Sequence, residues 1–487
     1  MNQRLSMQTL VLIITTTVFS FSSMTTAFFM MGTKSLLWFL ISSCCYFIPY
    51  TLIVSSYTRT YAKQAGGIYD WLKDSLSPKA AFITAFLWYC SYFTWIVSLF
   101  MKLLIPLSIL FFGQDITQQA TWFGLPTNIW IAVLAITAVF SLTYLISRGF
   151  QTVLRFLLRS GIVMLGLLLL STLANAILIV QQPASFLRNL QQSFQAPTFF
   201  AGTGDSLLSQ LPFFIFAITA FGGLDTVASL ADKTGGDKRR FPRALIISAG
   251  AIVLLYFAGI ILWSGANDLT SLRQTDQLHL GNLMYGLMGS LAQSLATSLH
   301  LSTNSSQLLY QIFIRYTALT LVISYLGLLS SITYAPLKSL IQGTPKAIWP
   351  TRWTRLNSQQ MPAAALWVQA AAIAIGILIL SLNNPLMSHL FNQLTYMTNI
   401  ARALPYFVVA FSYPFFMKKS RHYYQACCLS LAVCSSILVA VGFQLYEPMM
   451  AGNYTQSLWL VAGPLLFGLA GHHLYRHFEQ PVLRKNS

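Results

Sequence analysis

An all-α membrane protein of twelve transmembrane helices is the fold class this sequence predicts, on three observations. Of its 487 residues 55% are hydrophobic and 8% charged, against about 25% charged in soluble domains. Apolar runs of roughly 20 residues recur from end to end, each long enough to cross the hydrocarbon layer. Between them, Lys and Arg collect in every second connection, as the positive-inside rule requires of a correctly counted bundle.

Taken in order, the expected segments are 7–31, 36–58, 80–111, 127–147, 156–181, 207–231, 243–264, 306–337, 363–382, 388–417, 424–446 and 456–476. Segment 1 is too long for a signal-peptide core and lacks a small-residue cleavage site, so it is expected to remain as a membrane helix. The basic groups around Arg59 and Lys63, Arg148 to Arg159, Lys233 to Arg243, Lys338 to Arg355, Lys418 to Arg421 and Arg476 to Lys485 fall on one side. Lys34, Arg188 and Arg273 are the basic residues of the other. Both termini are therefore expected in the cytoplasm, with no soluble domain or long linker. The connection 265–305 is the longest on the outer side, and Pro345, Pro350 and Pro362 argue against one continuous helix between segments 8 and 9.

Several classes of function fall away at this level. The net charge of +18 is spread in short groups between apolar runs rather than along one face, which disfavours a nucleic-acid partner. Cys44, Cys45, Cys90, Cys427, Cys428 and Cys434 lie inside apolar runs without metal or disulfide spacing and are expected to pack. His473 and His477 have the i, i+4 spacing of a metal pair but no third ligand, at a basic helix end. No phosphate-binding loop and no nucleophile with a partner base is visible, so neither an enzyme nor a cofactor is expected.

What remains is chemistry inside the membrane. Segment 1 carries TTTVFSFSSMTT, with Ser20, Ser22 and Ser23 at mid-depth, and segment 6 carries AITAFGGLDT, with Gly222 and Gly223 followed by Asp225. Interrupted helices five segments apart run antiparallel, the pattern of two inverted repeats. Unwound backbone at mid-membrane leaves amides and carbonyls free and is tolerated only against a cavity or ligand. Serine back-bonding within a helix and glycine-mediated helix packing are the plainer alternatives. Arg402, far from both ends of segment 10, cannot snorkel and is expected to pair with a substrate carboxylate or with Asp225. Lys102 and Arg315 lie nearer the outer headgroups and can snorkel; Asp232 is expected to meet the basic run that follows it. Tyr92 and Trp95 on segment 3, Phe221 on segment 6 and Tyr325 on segment 8 are candidate pocket walls. Asp225 is expected to cap the second half of segment 6 and to carry proton coupling.

Three stretches then bring a resemblance: QAGGIYDWLKDSL, FGGLDTVASLADKTGGDKRRFPRAL and LKSLIQGTPKAIWPTRWTRLNSQQMPAAALWVQ. In this order they resemble the amino acid–polyamine–organocation superfamily, nearest its glutamate/GABA antiporter branch and the bacterial inner-membrane permeases beside it. The likeness implies a five-plus-five inverted-repeat (LeuT-like) fold, with repeats over 7–181 and 207–417 and extra helices in 424–476. It also implies alternating access around a site between segments 1, 3, 6, 8 and 10. Gly222, Gly223 and Asp225 match the family's break in helix 6, with Asp225 shorter than the glutamate expected there. Gly66, Gly67 and Tyr69 match its structural turn after helix 2. Segment 1 departs from the pattern, since the first glycine of the chain is Gly32. The function this implies is secondary transport of an amino acid or related amine, by exchange or with protons. A membrane-embedded amino-acid receptor is the alternative.

Overall fold

The computed structural model describes residues 6–64, 66–117, 121–122, 124–197, 210–228, 231, 239–273, 283–381 and 385–486. Asp232 and most of the basic run after it lie outside the described residues.

Helices account for almost all of the described chain, as its long apolar runs dictate. Segment 1 forms α1 (Met7–Val18) and α2 (Phe21–Met31), and segment 2 forms α3 (Ser35–Ser42) and α4 (Ile48–Thr60), joined by a π-helical turn at Ser43–Phe47. A short α5 (Ile68–Lys73) precedes segment 3, which divides into α6 (Pro78–Ser91), α7 (Phe93–Lys102) and α8 (Leu104–Phe112). A hairpin of two-residue strands, β1 (Thr121–Trp122) and β2 (Leu125–Pro126), leads into α9 (Thr127–Ser147) and α10 (Phe150–Gln181).

The second half opens with α11 (Pro183–Gln195), then the divided segment 6 as α12 (Leu211–Ala220) and α13 (Leu224–Ala228), then α14 (Arg240–Ala266). The connection between segments 7 and 8 is not plain loop: it contains α15 (Leu269–Arg273) and α16 (Leu283–Ser298). After α17 (Thr303–Gly343) the proline-rich connection holds only a 3-10 turn and α18 (Thr351–Thr354), because proline removes donors and opposes helix in the residue before it. The chain ends in α19 (Ala363–Ser381), α20 (Pro385–Phe416), α21 (Tyr423–Met450) and α22 (Tyr454–Asn486).

Among the described residues nine helical runs are long and apolar enough to cross a membrane, with shorter apolar helices at Met7–Val18, Phe213–Ala228 and Ile400–Phe416. The first of these ends at a helix break and the second contains one, which is the arrangement that positions the site.

Packing brings the two divided segments to the centre. Helix α1 lies against α14, α10 and α13, and α20 lies against α6, α21 and α22. Small residues set the closest approaches: a side chain on Gly343 at the end of α17 would overlap the Gly66 backbone. The Gly66-Gly67 turn is thereby held under α17, and Asp70 fixes it by accepting from the Gly66 amide at 2.6 Å while pairing with Lys73 at 2.8 Å. The cysteines correct one expectation. All six are free, but Cys44, Cys45 and Cys428 are exposed on the outer surface of the bundle rather than packed inside it.

Candidate functional site

Segment 1 breaks without glycine. Phe19 (ψ 127°) and Ser20 (φ −117°, ψ 115°) are simply extended, a conformation open to any L residue. Ser20 then caps α2, its Oγ accepting from the Ser23 amide at 3.1 Å. Thr16, Thr17 and Thr25 instead bond back to carbonyls of their own helices, so back-bonding and unwinding coexist here. In segment 6 the Phe221 and Gly222 amides close turns onto Ile218 and Thr219, and Gly223 adopts φ +102°, which strongly favours glycine. A Cβ at Gly223 would lie 3.4 Å from the Thr17 carbonyl, so the two breaks face one another.

One hydroxyl ties them together. Tyr256 of α14 accepts from the Ser20 amide at 3.2 Å and donates to the Ala220 carbonyl at 2.9 Å. Its ring packs on Phe19, Phe39 and Phe221 at centroid distances of 5.0, 4.7 and 5.3 Å.

Asp225 holds a second tie, and here the structure departs from the capping role. Its carboxylate lies inside the first turn of α13 and reaches across to other helices. Oδ2 accepts from Trp88 Nε1 at 2.6 Å and from the Tyr92 hydroxyl at 3.1 Å, and Oδ1 accepts from the Tyr406 hydroxyl at 3.0 Å. A side chain 1% exposed thus joins segments 3, 6 and 10. Nor does Arg402 pair with it: no ion pair between them is present among the described residues. The guanidinium lies over the Trp95 ring at 4.9 Å and toward Tyr92 at 6.0 Å, with Tyr92 standing between the two charges.

These elements enclose a cavity of about 520 Å³. Ser20, Ser23, Tyr92, Trp95, Gly222, Gly223 and Arg402 line it, while Asp225 sits behind Tyr92 and Tyr406. Three expected wall residues lie elsewhere. Ser22 and Tyr325 turn into a smaller adjoining cavity of about 110 Å³, because Ser22 and Ser23 point to different sides of α2. Phe221 stacks on Phe47 at 4.4 Å within the core. Sequence reasoning also missed Thr17, Tyr46, Thr226 and Tyr406 in the lining and Trp88 behind it. Helical spacing could have found two of these: Tyr406 lies one turn after Arg402, and Trp88 one turn before Tyr92. Outside the site, Lys102 and Arg315 are exposed, Arg315 donating to the Leu110 carbonyl, and His473 and His477 are exposed as well.

The sequence also matches known proteins. The model of a family described as amino acid permease matches residues 5–469. The inner membrane transporter YjeM of Salmonella typhimurium is 32% identical, covering 98% of this chain and 97% of that protein. YjeM of Escherichia coli K12 is 32% identical over 99% and 98%. More distantly, the aspartate/glutamate permease AcaP of Lactococcus lactis is 21% identical over 46% of this chain and 44% of that protein.

Proposed function

The chain belongs to the amino acid permease family, as an inner-membrane transport protein and not an enzyme, and on that premise we propose that it carries an amino acid across the membrane by alternating access. The observation that carries this reading is the central cavity, bounded on one side by both helix breaks and on the other by Tyr92, Trp95 and Arg402. Twelve membrane segments with both termini cytoplasmic, in a five-plus-five inverted-repeat arrangement, supply the framework. The name of the distant relative AcaP supports an amino acid as the class of substrate.

The breaks suit a zwitterion. The positive end of α2, with the Ser20 and Ser23 side chains beside it on the cavity, favours the α-carboxylate. The end of α1 presents carbonyls around Thr17 and Val18, which suit the ammonium group. Ser20, Ser23, Gly222 and Gly223 form this polar floor, and Tyr92, Trp95 and Arg402 face it. Asp225 is the coupling group in this reading: it takes up and releases a proton as Tyr92 and Tyr406 rearrange, so that transport runs by exchange or with the proton gradient.

Purified protein in liposomes preloaded with unlabelled amino acids tests the reading. Counterflow of a labelled amino acid is expected. Binding of amino acids with neither counterflow nor uptake would contradict transport and indicate a membrane receptor.

A further inference from the structure

Where α9 ends and α19 begins, the chain carries charge that it does not answer. Neither Asp nor Glu occurs between Asp115 and Asp205 or between Asp276 and Glu447, so Arg148 after α9 and Arg352 and Arg355 before α19 have no acidic residue near them in sequence. All three are exposed, and among the described residues none of them is in an ion pair. Asn357 brings them to one corner: its side-chain amide donates to the Ser147 carbonyl at 2.7 Å, which ties the connection ahead of α19 to the end of α9. Arg148 turns back toward the membrane from there. Its guanidinium lies 4.8 Å from the centre of the Tyr144 ring, one turn earlier, and donates to the Tyr144 hydroxyl.

The same corner faces lipid. Tyr144 and Phe140 are exposed on the outside of α9, and Phe140 stacks on the exposed Trp367 of α19 with ring centroids 6.1 Å apart. Aromatic rings at a helix end sit at the border of headgroups and acyl chains. Three cations without a counter-charge, beside an exposed aromatic surface, match an amphiphile with an anionic head. We propose that this corner binds an anionic phospholipid, its phosphate received by Arg148, Arg352 and Arg355 and an acyl chain lying along Phe140 and Trp367. Guanidinium forks meet phosphate oxygens through paired hydrogen bonds, which fixes the orientation of the head as well as its charge. Under the topology proposed above the cytoplasmic leaflet supplies the lipid; binding itself depends neither on that topology nor on transport.

Lipid titration of the full-length chain in detergent micelles tests this, with bound lipid counted by native mass spectrometry. Cardiolipin and phosphatidylglycerol are expected to bind in preference to phosphatidylethanolamine. Replacing Arg148, Arg352 and Arg355 together by Gln is expected to weaken cardiolipin binding by more than about tenfold, since each cation near the headgroup contributes about fivefold. Arg59, Lys63 and Lys79 replaced together by Gln remove the same number of cations from a basic group whose neighbours in sequence include Asp70 and Asp74, and should leave binding within about twofold of wild type. If the first variant fails to insert, Arg148→Gln alone decides, with an expected loss of about fivefold. Unchanged cardiolipin binding in these arginine variants would overturn the inference, as would phosphatidylethanolamine binding equally well. An equal loss in the control variant would overturn it too, by showing diffuse attraction to basic loops in place of a site.

Discussion

The donors around Asp225 decide what a substitution there does. Trp88 Nε1 can only donate, whereas the Tyr406 hydroxyl can reverse and accept. An asparagine in place of Asp225 can therefore turn its carbonyl toward Trp88 and Tyr92 and its amide toward Tyr406, which preserves the fold but removes the titrating group. We expect Asp225→Asn to insert normally and to retain exchange, while accumulation driven by an inward proton gradient disappears. Accumulation with the wild-type pH profile would reduce Asp225 to a structural tie. Asp225→Ala strands the Trp88 donor in the core, at a cost of about 1–3 kcal/mol, and is expected to lower thermal stability in detergent. Which residues gather around the central cavity was partly legible: a carboxylate and an arginine inside apolar helices attract attention through their cost in lipid. Their partners were not, since Trp88 and Tyr406 look like ordinary aromatic packing until the helices are brought together. Even Ser22 and Ser23, adjacent in the chain, end in different cavities because rotation about α2 is set by tertiary packing.

Among the elements, two helix breaks and the tyrosine that bridges them define the candidate site. Gly222-Gly223 announced the segment 6 break, because a positive φ leaves a local signature in sequence. The segment 1 break left none, since extended backbone at Phe19 and Ser20 needs no special residue; its hydroxyl-rich composition was the only hint. Leucine at position 223 would have to adopt φ near +102° beside the Thr17 carbonyl, a strain of order 1–3 kcal/mol before any steric clash with substrate. Gly223→Leu is expected to reach the membrane and to lose uptake; full uptake by a correctly inserted mutant would show that the glycine merely packs. Tyr256→Phe keeps the aromatic stack but releases both the Ser20 amide and the Ala220 carbonyl. If the two unwound segments move as a unit, this variant should show normal insertion and a maximal uptake rate reduced by about fivefold or more, as losing roughly 1–3 kcal/mol of hydrogen bonding would allow. An unchanged rate would mean that the breaks move independently of Tyr256.

For the whole molecule, helix content and membrane character follow from length and hydropathy of the runs, and these were the easiest features to read. Where each run begins was less so: α15 and α16 occupy the 265–305 connection, in which no helix was expected, and α3 continues closely from α2 around Gly32. The bias of Lys and Arg predicts that the C-terminus and the 338–362 connection share the cytoplasmic side, and reporter fusions at both points should find them there. If one cavity opens alternately to the two sides, a single cysteine in its wall should be reachable from each. Ala403 lines the cavity one residue from Arg402. In a variant with its six native cysteines replaced by serine, Ala403→Cys should react with a membrane-impermeant thiol reagent applied from either face of oriented vesicles, and substrate should slow both reactions. Labelling from one face alone, in the presence and absence of substrate and of a proton gradient, would contradict alternating access.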